Sequence, residues 1–503
     1  MDFFAKVFDI EQGRNEIVLG EAQAAELDLA VLDRVLIRKG DRSAVAIVKH
    51  SATFVARGEV GLFHEIALEL GAKRGDTVSI EPSQRPASLD YIRKKLDNQV
   101  LSAQEITAII DDLMRQNLSG TELASFVSAV YINGLSTDET AALTQAIYQS
   151  GESISPPFEP VVSEHSIGGV AGGRSSLLLV PIMASLGFCV PKTASRAISS
   201  AAATADVMEV LAPVSIPARG IEEVLRKAGG CVVWGGAVGI AAADDKLIQV
   251  RNPLRLDPLP LVISSILAKK KAEGAQYVVL DIPCGRGVKV TDFNACRDLG
   301  REFEVFASRL GIKVAAVVSD GSEPLMNGLG PNLEARGILE ILKSGGKAGE
   351  PELVEKACHS CGLLLQMVRG VSREEGFATA RRQLENGKAF EKFRQIIEAQ
   401  GGNPDIAPQD IPSGEHRRAF FAEEEGTVAH VDNRAISKIL RSVGAPRDKK
   451  AGMILAVKKG RRIDRGDELY TLMASTPEAL AFGVEMAKKT ELIELSRIVL
   501  DVV

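Results

Sequence analysis

The stretch Glu164-His-Ser-Ile-Gly-Gly-Val-Ala-Gly-Gly-Arg174, running on into Ser175-Ser-Leu-Leu-Leu179, sets the reading of this 503-residue chain. Four glycines fall between positions 168 and 173, and glycine lets backbone amides approach a ligand closely. Hydroxyls at Ser166, Ser175 and Ser176 add donors. An apolar helical run starts directly afterwards, so a helix N-terminus faces the loop and offers a seat for an anion. The spacing is neither that of a P-loop nor that of a dinucleotide fingerprint. On the residues alone two readings stay open, a phosphate-holding loop or an ordinary strand-to-helix turn.

Downstream lies Pro191-Lys-Thr-Ala-Ser-Arg-Ala-Ile-Ser-Ser200, then Ala-Ala-Ala-Thr-Ala-Asp206. Small and hydroxyl residues crowd around one arginine. Such a stretch either packs tightly against a helix or cradles a polyhydroxylated anion. A third segment runs from Asp244-Asp-Lys246 through Arg251 and Asp257 to Ser264-Ser-Ile-Leu-Ala-Lys-Lys270. Ser265 and Lys269 are four apart and share a helix face, although a lone lysine there is usually solvated.

Further out, residues 160–345 alternate glycine-rich turns, apolar β runs (Val278 to Ile282, Val314 to Val318) and helical patterns, which predicts a largely parallel sheet in an α/β domain. Ligands bind such sheets at the carboxyl ends of strands. Residues 1–84 read as a small β-barrel, with apolar runs Val31 to Ile37 and Ala44 to Val48 broken by the turns Lys39-Gly-Asp41 and Lys73-Arg-Gly-Asp76. Between barrel and sheet, capping boxes at Ser102/Glu105, Ser119/Glu122 and Ser136/Glu139 open three short helices. Residues 350–400 are again helical, and 411–503 mix strands with a helix from Pro477 to Lys489. The expected fold is therefore multidomain α/β: barrel 1–84, helical domain 88–158 with room for later helices, central α/β domain 159–405 and C-terminal α/β domain 411–503.

Composition narrows the function classes. The formal net charge is −6, which disfavours a nucleic-acid backbone as partner. Aromatic residues are 5% with a single Trp, too few for base-stacking platforms. No uninterrupted apolar run reaches the length of a membrane span, and the N-terminus lacks the layout of a signal peptide. Six cysteines make no disulfide scaffold, so a reducing, cytoplasmic setting is expected. Cys358-His-Ser-Cys361 has C-x-x-C spacing but no second pair, which favours buried thiols on a helix over metal or redox chemistry.

Taken in order, His165-Ser-Ile-Gly-Gly, Pro191-Lys-Thr-x-Ser-Arg-Ala-Ile-x-Ser, Thr204-Ala-Asp-x-Met-Glu-Val-Leu-Ala-Pro213, Trp234-Gly-Gly, Ser265-Ile-Leu-Ala-Lys-Lys and Asp281-Ile-Pro-x-Gly-x-Gly-x-Lys289 resemble the AMP phosphorylase and thymidine phosphorylase family. The match covers most of the chain, including the extra N-terminal barrel of the AMP phosphorylase type. The resemblance implies a pentosyltransferase. Phosphate attacks the anomeric carbon of a nucleoside 5′-monophosphate, releasing the base and ribose 1,5-bisphosphate. A thymidine or pyrimidine nucleoside phosphorylase is the alternative substrate class. The resemblance casts Asp257 as proton donor to the leaving base. His165, Arg251, Ser265 and Lys269 would hold the base. Gly169, Ser195, Arg196, Ala197, Ile198, Ser199, Ser200, Thr204, Ser265 and Lys289 would contact the nucleotide. Ser166, Arg174, Ser176 and Thr204 would bind phosphate.

It further implies closure across a cleft, no cofactor beyond phosphate as co-substrate, and a homodimer or larger homo-oligomer. Three positions depart from the family pattern. Glu164 stands where relatives carry a phosphate-binding Lys, Ala194 replaces a hydroxyl, and Ala203 replaces a Gly before Thr204. A carboxylate beside phosphate is repulsive unless a cation intervenes. Arg174, Arg196 and backbone amides are the expected compensators. A changed acceptor, with a divalent ion at Glu164, or a non-catalytic binding role are the alternatives these substitutions leave.

Overall fold

The computed structural model describes residues 1–197, 200–254 and 256–496. Six strands, β1 Asp2–Val7, β2 Glu16–Gly20, β3 Arg34–Lys39, β4 Arg42–Ser51, β5 Glu59–Leu62 and β6 Thr77–Pro82, close into a barrel in the order β1-β5-β2-β4-β3-β6. Closure removes unpaired strand edges, and alternate side chains such as Val35, Ile37, Ala44 and Ala46 fill the interior. The run from Val31 starts later than expected: Leu32 has φ +76°, so β3 begins only at Arg34.

All three capping boxes form. Ser102 Oγ accepts from Glu105 N at 3.3 Å while the Glu105 carboxylate accepts from Ser102 N at 2.7 Å. The same exchange starts the helices Gly120–Asn133 and Thr137–Gln149. Each satisfies two amides that a helix start leaves orphaned. Glu122 has a second task. It accepts a hydrogen bond from Arg34 Nη2, and Arg34 Nε reaches the Asn117 carbonyl at 2.9 Å. Arg34 thereby ties the barrel to the helical bundle. Barrel and bundle belong to one compact unit, Met1–Gly151 with Ala241–Ser265.

The second unit comprises Glu152–Ile240 and Ile266–Val503. Its central strands are β7 Val162–Ser166, β8 Val190–Ala194, β9 Gly230–Trp234, β10 Tyr277–Cys284 and β11 Lys313–Asp320. They pair in parallel as β11-β10-β7 and β8-β9, with a parallel bridge from Val161 to Cys189. The helix Ser176–Ser185 is buried along almost its whole length. The helices Pro331–Lys343, Pro351–Arg369, Arg373–Glu385 and Lys388–Ala399 follow the sheet.

The C-terminal portion is antiparallel. It has a sheet of β12 Gly328–Leu329, β15 Gly452–Leu455, β17 Glu468–Ala474 and β13 His416–Phe421, and a sheet of β16 Arg462–Ile463, β14 Gly426–Val431 and β18 Ile493–Ser496. The helices Asn433–Ser442 and Pro477–Lys488 complete it. The expected multidomain α/β class and N-terminal barrel are thus present.

Candidate functional site

Strand β7 pairs with β10 in a register that sets His165 opposite Leu280 and Ser166 opposite Asp281. At its carboxyl end Ser166 Oγ donates to Asp281 Oδ2 at 2.5 Å and accepts from Gly168 N. Asp281 is held in turn by Ser319 Oγ at 2.6 Å and by Lys356 Nζ at 2.7 Å. The chain then needs left-handed backbone at Gly168, Gly169 and Gly172. A Cβ at Gly172 would sit 2.9 Å from the Met326 amide nitrogen, and one at Gly169 would sit 3.2 Å from the Val288 Cα. Packing therefore demands these glycines, in addition to any ligand. Asn433, at the start of a C-terminal helix, accepts from Ala171 N at 2.9 Å and donates to the Gly321 carbonyl.

Beneath the loop lies a buried charge cluster. Glu164 is 1% exposed. Its carboxylate accepts from Ser176 Oγ, from Ser175 Oγ at 3.4 Å and from Lys192 Nζ at 3.2 Å. Lys192 also donates to the Glu164 carbonyl at 2.6 Å. Beside it Lys270 Nζ meets both oxygens of Glu273 at 2.8 Å, and Glu273 accepts from Ser163 Oγ and Thr193 N. Burial alone would raise the Glu164 carboxyl, but Lys192, Ser176 and Lys270 outweigh it and hold it below the usual carboxylate range. Burial brings Lys270 down to about 8 despite Glu273. His165 lies well below the ordinary histidine value, first through desolvation and then through Lys270, Lys192, Lys269 and Lys289. The imidazole is neutral and can accept as well as donate a hydrogen bond.

The compensation expected from Arg174 and Arg196 comes instead from Lys192. Arg174 Nη2 donates to the Ala202 carbonyl at 2.7 Å, and its Nε lies 2.6 Å from Glu334 Oε2 without hydrogen-bond alignment. Arg196 forms a two-pronged pair with Glu209 and lies 4.7 Å over the Trp234 ring. That pair brings Glu209 down to about 2 and Arg196 upward. Both guanidinium groups are engaged by their own carboxylates, and a fork-shaped cation prefers such partners.

Asp206 Oδ2 gathers Ala197 N at 2.8 Å and Ala203 N at 2.9 Å, which folds the segment back on itself. Ala203 has φ −126° and ψ 171°, extended backbone open to any residue, so the missing glycine strains nothing. Thr204 opens the helix Thr204–Met208, Ser195 is exposed, and Ser200 Oγ donates to the Ala202 carbonyl. Ile198 and Ser199 lie outside the described residues. Lys289 is exposed on the loop after β10, where Gly285 N donates to the Val290 carbonyl.

The remaining expected residues belong to the first unit, except Lys269. Arg251, at the end of the helix Ala242–Arg251, is 8% exposed. Its Nε and Nη1 have no hydrogen-bond partner among the described residues. Asp257 Oδ1 lies 3.6 Å from Nη1, with its side chain 53% exposed. Ser265 Oγ donates to Asp244 Oδ2 at 2.7 Å. The helix Leu259–Ala272 carries Ser265 and runs on through Lys269.

Cys358 and Cys361 are buried on the helix Pro351–Arg369, where burial pushes Cys358 up to about 12 and Cys361 well above the ordinary thiol value. Such thiols are poor nucleophiles and ligands. Among the described residues no group of three or more His, Cys, Asp or Glu could hold a metal ion. No helix there is long and apolar enough to cross a membrane.

Lys192, Lys270, Glu273, Asp281 and Asn433 were not singled out from sequence. Lys192, Lys270 and Asp281 stand inside quoted segments, and their residue type was the available signal. Asn433 gives none, because its partner Ala171 is 262 positions away.

Residues 89–151 match the helical bundle domain of a glycosyl transferase family, and residues 159–390 match that family's a/b domain. The chain is 43% identical over 498 residues to AMP phosphorylase of Pyrococcus horikoshii, covering 99% of this chain and 98% of that protein. It is 41% identical over 496 residues to AMP phosphorylase of Thermococcus kodakarensis, with the same coverage. Its fold is similar to that of anthranilate phosphoribosyltransferase from Thermus thermophilus, with TM-score 0.52 and 20% identity over 62% of this chain and 99% of that one.

Proposed function

This chain belongs to the AMP phosphorylase family of glycosyl transferases, and on that premise we propose that it is a pentosyltransferase acting on a nucleoside 5′-monophosphate and inorganic phosphate, yielding free base and ribose 1,5-bisphosphate. The observation that best supports a substrate-binding role is Arg251. A buried guanidinium with two nitrogens that have no hydrogen-bond partner among the described residues is costly unless a ligand supplies acceptors, and a base or its glycosidic environment offers them.

Bond cleavage builds oxocarbenium character on the ribose and negative charge on the base. The catalyst must hold an anionic nucleophile in line and protonate the leaving base. Asp257 takes the proton-donor role. Neutral His165, Arg251, Ser265 and Lys269 orient the base. Gly169, Ser195, Arg196, Ala197, Ser200, Thr204 and Lys289 contact the nucleotide. Ser166, Thr204 and the glycine-loop amides serve the acceptor phosphate. Ser176 is a further donor to that phosphate, and Arg174 acts there through the groups it holds in place. No metal or cofactor enters the scheme.

A homodimer or larger assembly completes the proposal. The exposed Tyr131 and Ile132 on the helix Gly120–Asn133 favour a covered bundle face, and light scattering reads the state. A cytoplasmic location is part of the same reading.

The test is release of base from AMP, CMP, UMP, adenosine, uridine and thymidine, with and without phosphate. Phosphate-dependent release from a 5′-monophosphate is expected, and Asp257→Asn should lower it by about 10²–10⁴-fold. Release that ignores phosphate, or an unaffected Asp257→Asn variant, overturns the proposal.

A further inference from the structure

The helix Ser176–Ser185 starts where the glycine loop ends, and the protein sets one of its own carboxylates there. Glu164 reaches from β7 to the hydroxyls of Ser175 and Ser176, and Lys192 supplies the matching positive charge. The first amides of this helix, Leu177 N, Leu178 N and Leu179 N, already bond to backbone carbonyls, so Glu164 is held by side-chain donors, with the helix dipole favouring its negative charge. Glu164 and Lys192 are both more than nine-tenths buried, so water screens neither. The neighbouring cations are committed as well: Lys270 to Glu273, Arg174 to Glu334 and Arg196 to Glu209. An incoming phosphate dianion therefore meets a helix start whose hydroxyls and ammonium already serve a fixed anion.

We propose that Glu164 is a specificity-determining residue that sets the affinity for the acceptor anion: its carboxylate competes for Ser175, Ser176 and Lys192, so that inorganic phosphate binds weakly and the acceptor requirement is decoupled from nucleotide binding. This inference rests on the phosphorylase reading above. Phosphate dependence becomes a property tuned by one internal charge, while the nucleotide contacts are left alone.

The experiment measures initial rates against phosphate concentration at saturating nucleotide, and against nucleotide at saturating phosphate, for the intact protein, Glu164→Gln and Glu164→Asp. Glu164→Gln keeps the shape and the hydrogen-bonding oxygen but removes the charge. It should lower the KM for phosphate by about 10-fold or more, because one like charge is deleted at short range. The KM for nucleotide should stay within about 2-fold of the parent. Glu164→Asp retains the charge one methylene further from Ser176 and should give an intermediate KM for phosphate.

A folded Glu164→Gln variant with unchanged or raised KM for phosphate overturns the inference while the phosphorylase reading stands. Equal loss in both KM values points to mere structural damage and overturns it too. If Glu164→Gln does not fold, an unchanged phosphate KM in Glu164→Asp is decisive against it. Phosphate-dependent release gained by Glu164→Gln where the parent shows none supports it. No base release by parent or variants at any phosphate concentration removes the phosphorylase reading and this inference with it.

Discussion

Two sets of buried charge in this molecule are built on opposite plans. Under the glycine loop, Glu164, Lys192, Lys270 and Glu273 each meet an opposite charge and at least one further hydrogen bond. In the other unit, Arg251 is nearly as buried, yet its Nε and Nη1 have no hydrogen-bond partner among the described residues, Asp257 standing 3.6 Å from Nη1. A buried polar group left unpaired lowers stability, and a saturated one does not. The first set holds the loop in place. The second is poised for something that arrives. Charge and burial alone do not distinguish a structural cluster from a binding residue, but the state of their hydrogen bonds does.

The contrast can be broken most forcefully in the saturated cluster. Glu273→Gln leaves Lys270 without its buried counter-charge, and removing one partner of such a pair costs about 3–5 kcal/mol. Denaturant unfolding should show that loss, and a shift below about 1 kcal/mol would mean that Lys192 and Lys270 repack freely.

Arg251→Met should behave the other way. Stability changes little, since an apolar isostere leaves no orphaned donor. By contrast kcat/KM falls by roughly 10- to 100-fold, the worth of about 1.5–3 kcal/mol in hydrogen bonds from a charged group. A large drop in stability with unchanged kcat/KM would make Arg251 structural and erase the distinction.

The smallest effect concerns His165. Its folded pKa lies well below the unfolded value of about 6.5. Below that pH the unfolded chain takes up a proton that the folded chain refuses. Stability is therefore fully present above about 6.5 and is lost as pH falls toward the folded value, by at most about 1.4 kcal/mol per pH unit. Because His165 is only half-buried, the slope is smaller than this ceiling. Denaturant midpoints at about pH 7.5 and 5.5 should converge between the parent and His165→Gln at the higher pH and separate at the lower. Parallel curves would show that the lysines do not suppress protonation.

What could be read from the sequence was local. The serine–glutamate pairs at 102/105, 119/122 and 136/139 specify helix starts by themselves, since both partners lie within one turn. The runs at 278–282 and 314–318 became β10 and β11 because alternation of sheet and helix needs buried parallel strands. The apolar run after Ser175 was legible as a helix and forms Ser176–Ser185, whereas β8 at Val190–Ala194 was not, because a short strand buried on both faces shows no alternation. The substitution at Glu164 was visible as an anomaly, but its remedy was not. Lys192 reaches it only because β7 and β8 are brought side by side, and Arg174 turns to Glu334, a residue 160 positions away. Spacing along a chain carries no information about such pairs.

Glu122 closes the circle between barrel and bundle. One carboxylate completes a capping box with Ser119 and also receives the buried Arg34 of β3. Loss of the barrel would strand this carboxylate, and fraying of the helix would strand the arginine. The amides of β3 and of the first turn of Gly120–Asn133 should accordingly exchange with solvent deuterium through a shared opening event, with one protection level rather than two. The barrel is then a member of the bundle's folding cooperativity, and a chain shortened by its first 84 residues would lose protection in a helix that the cut never touches.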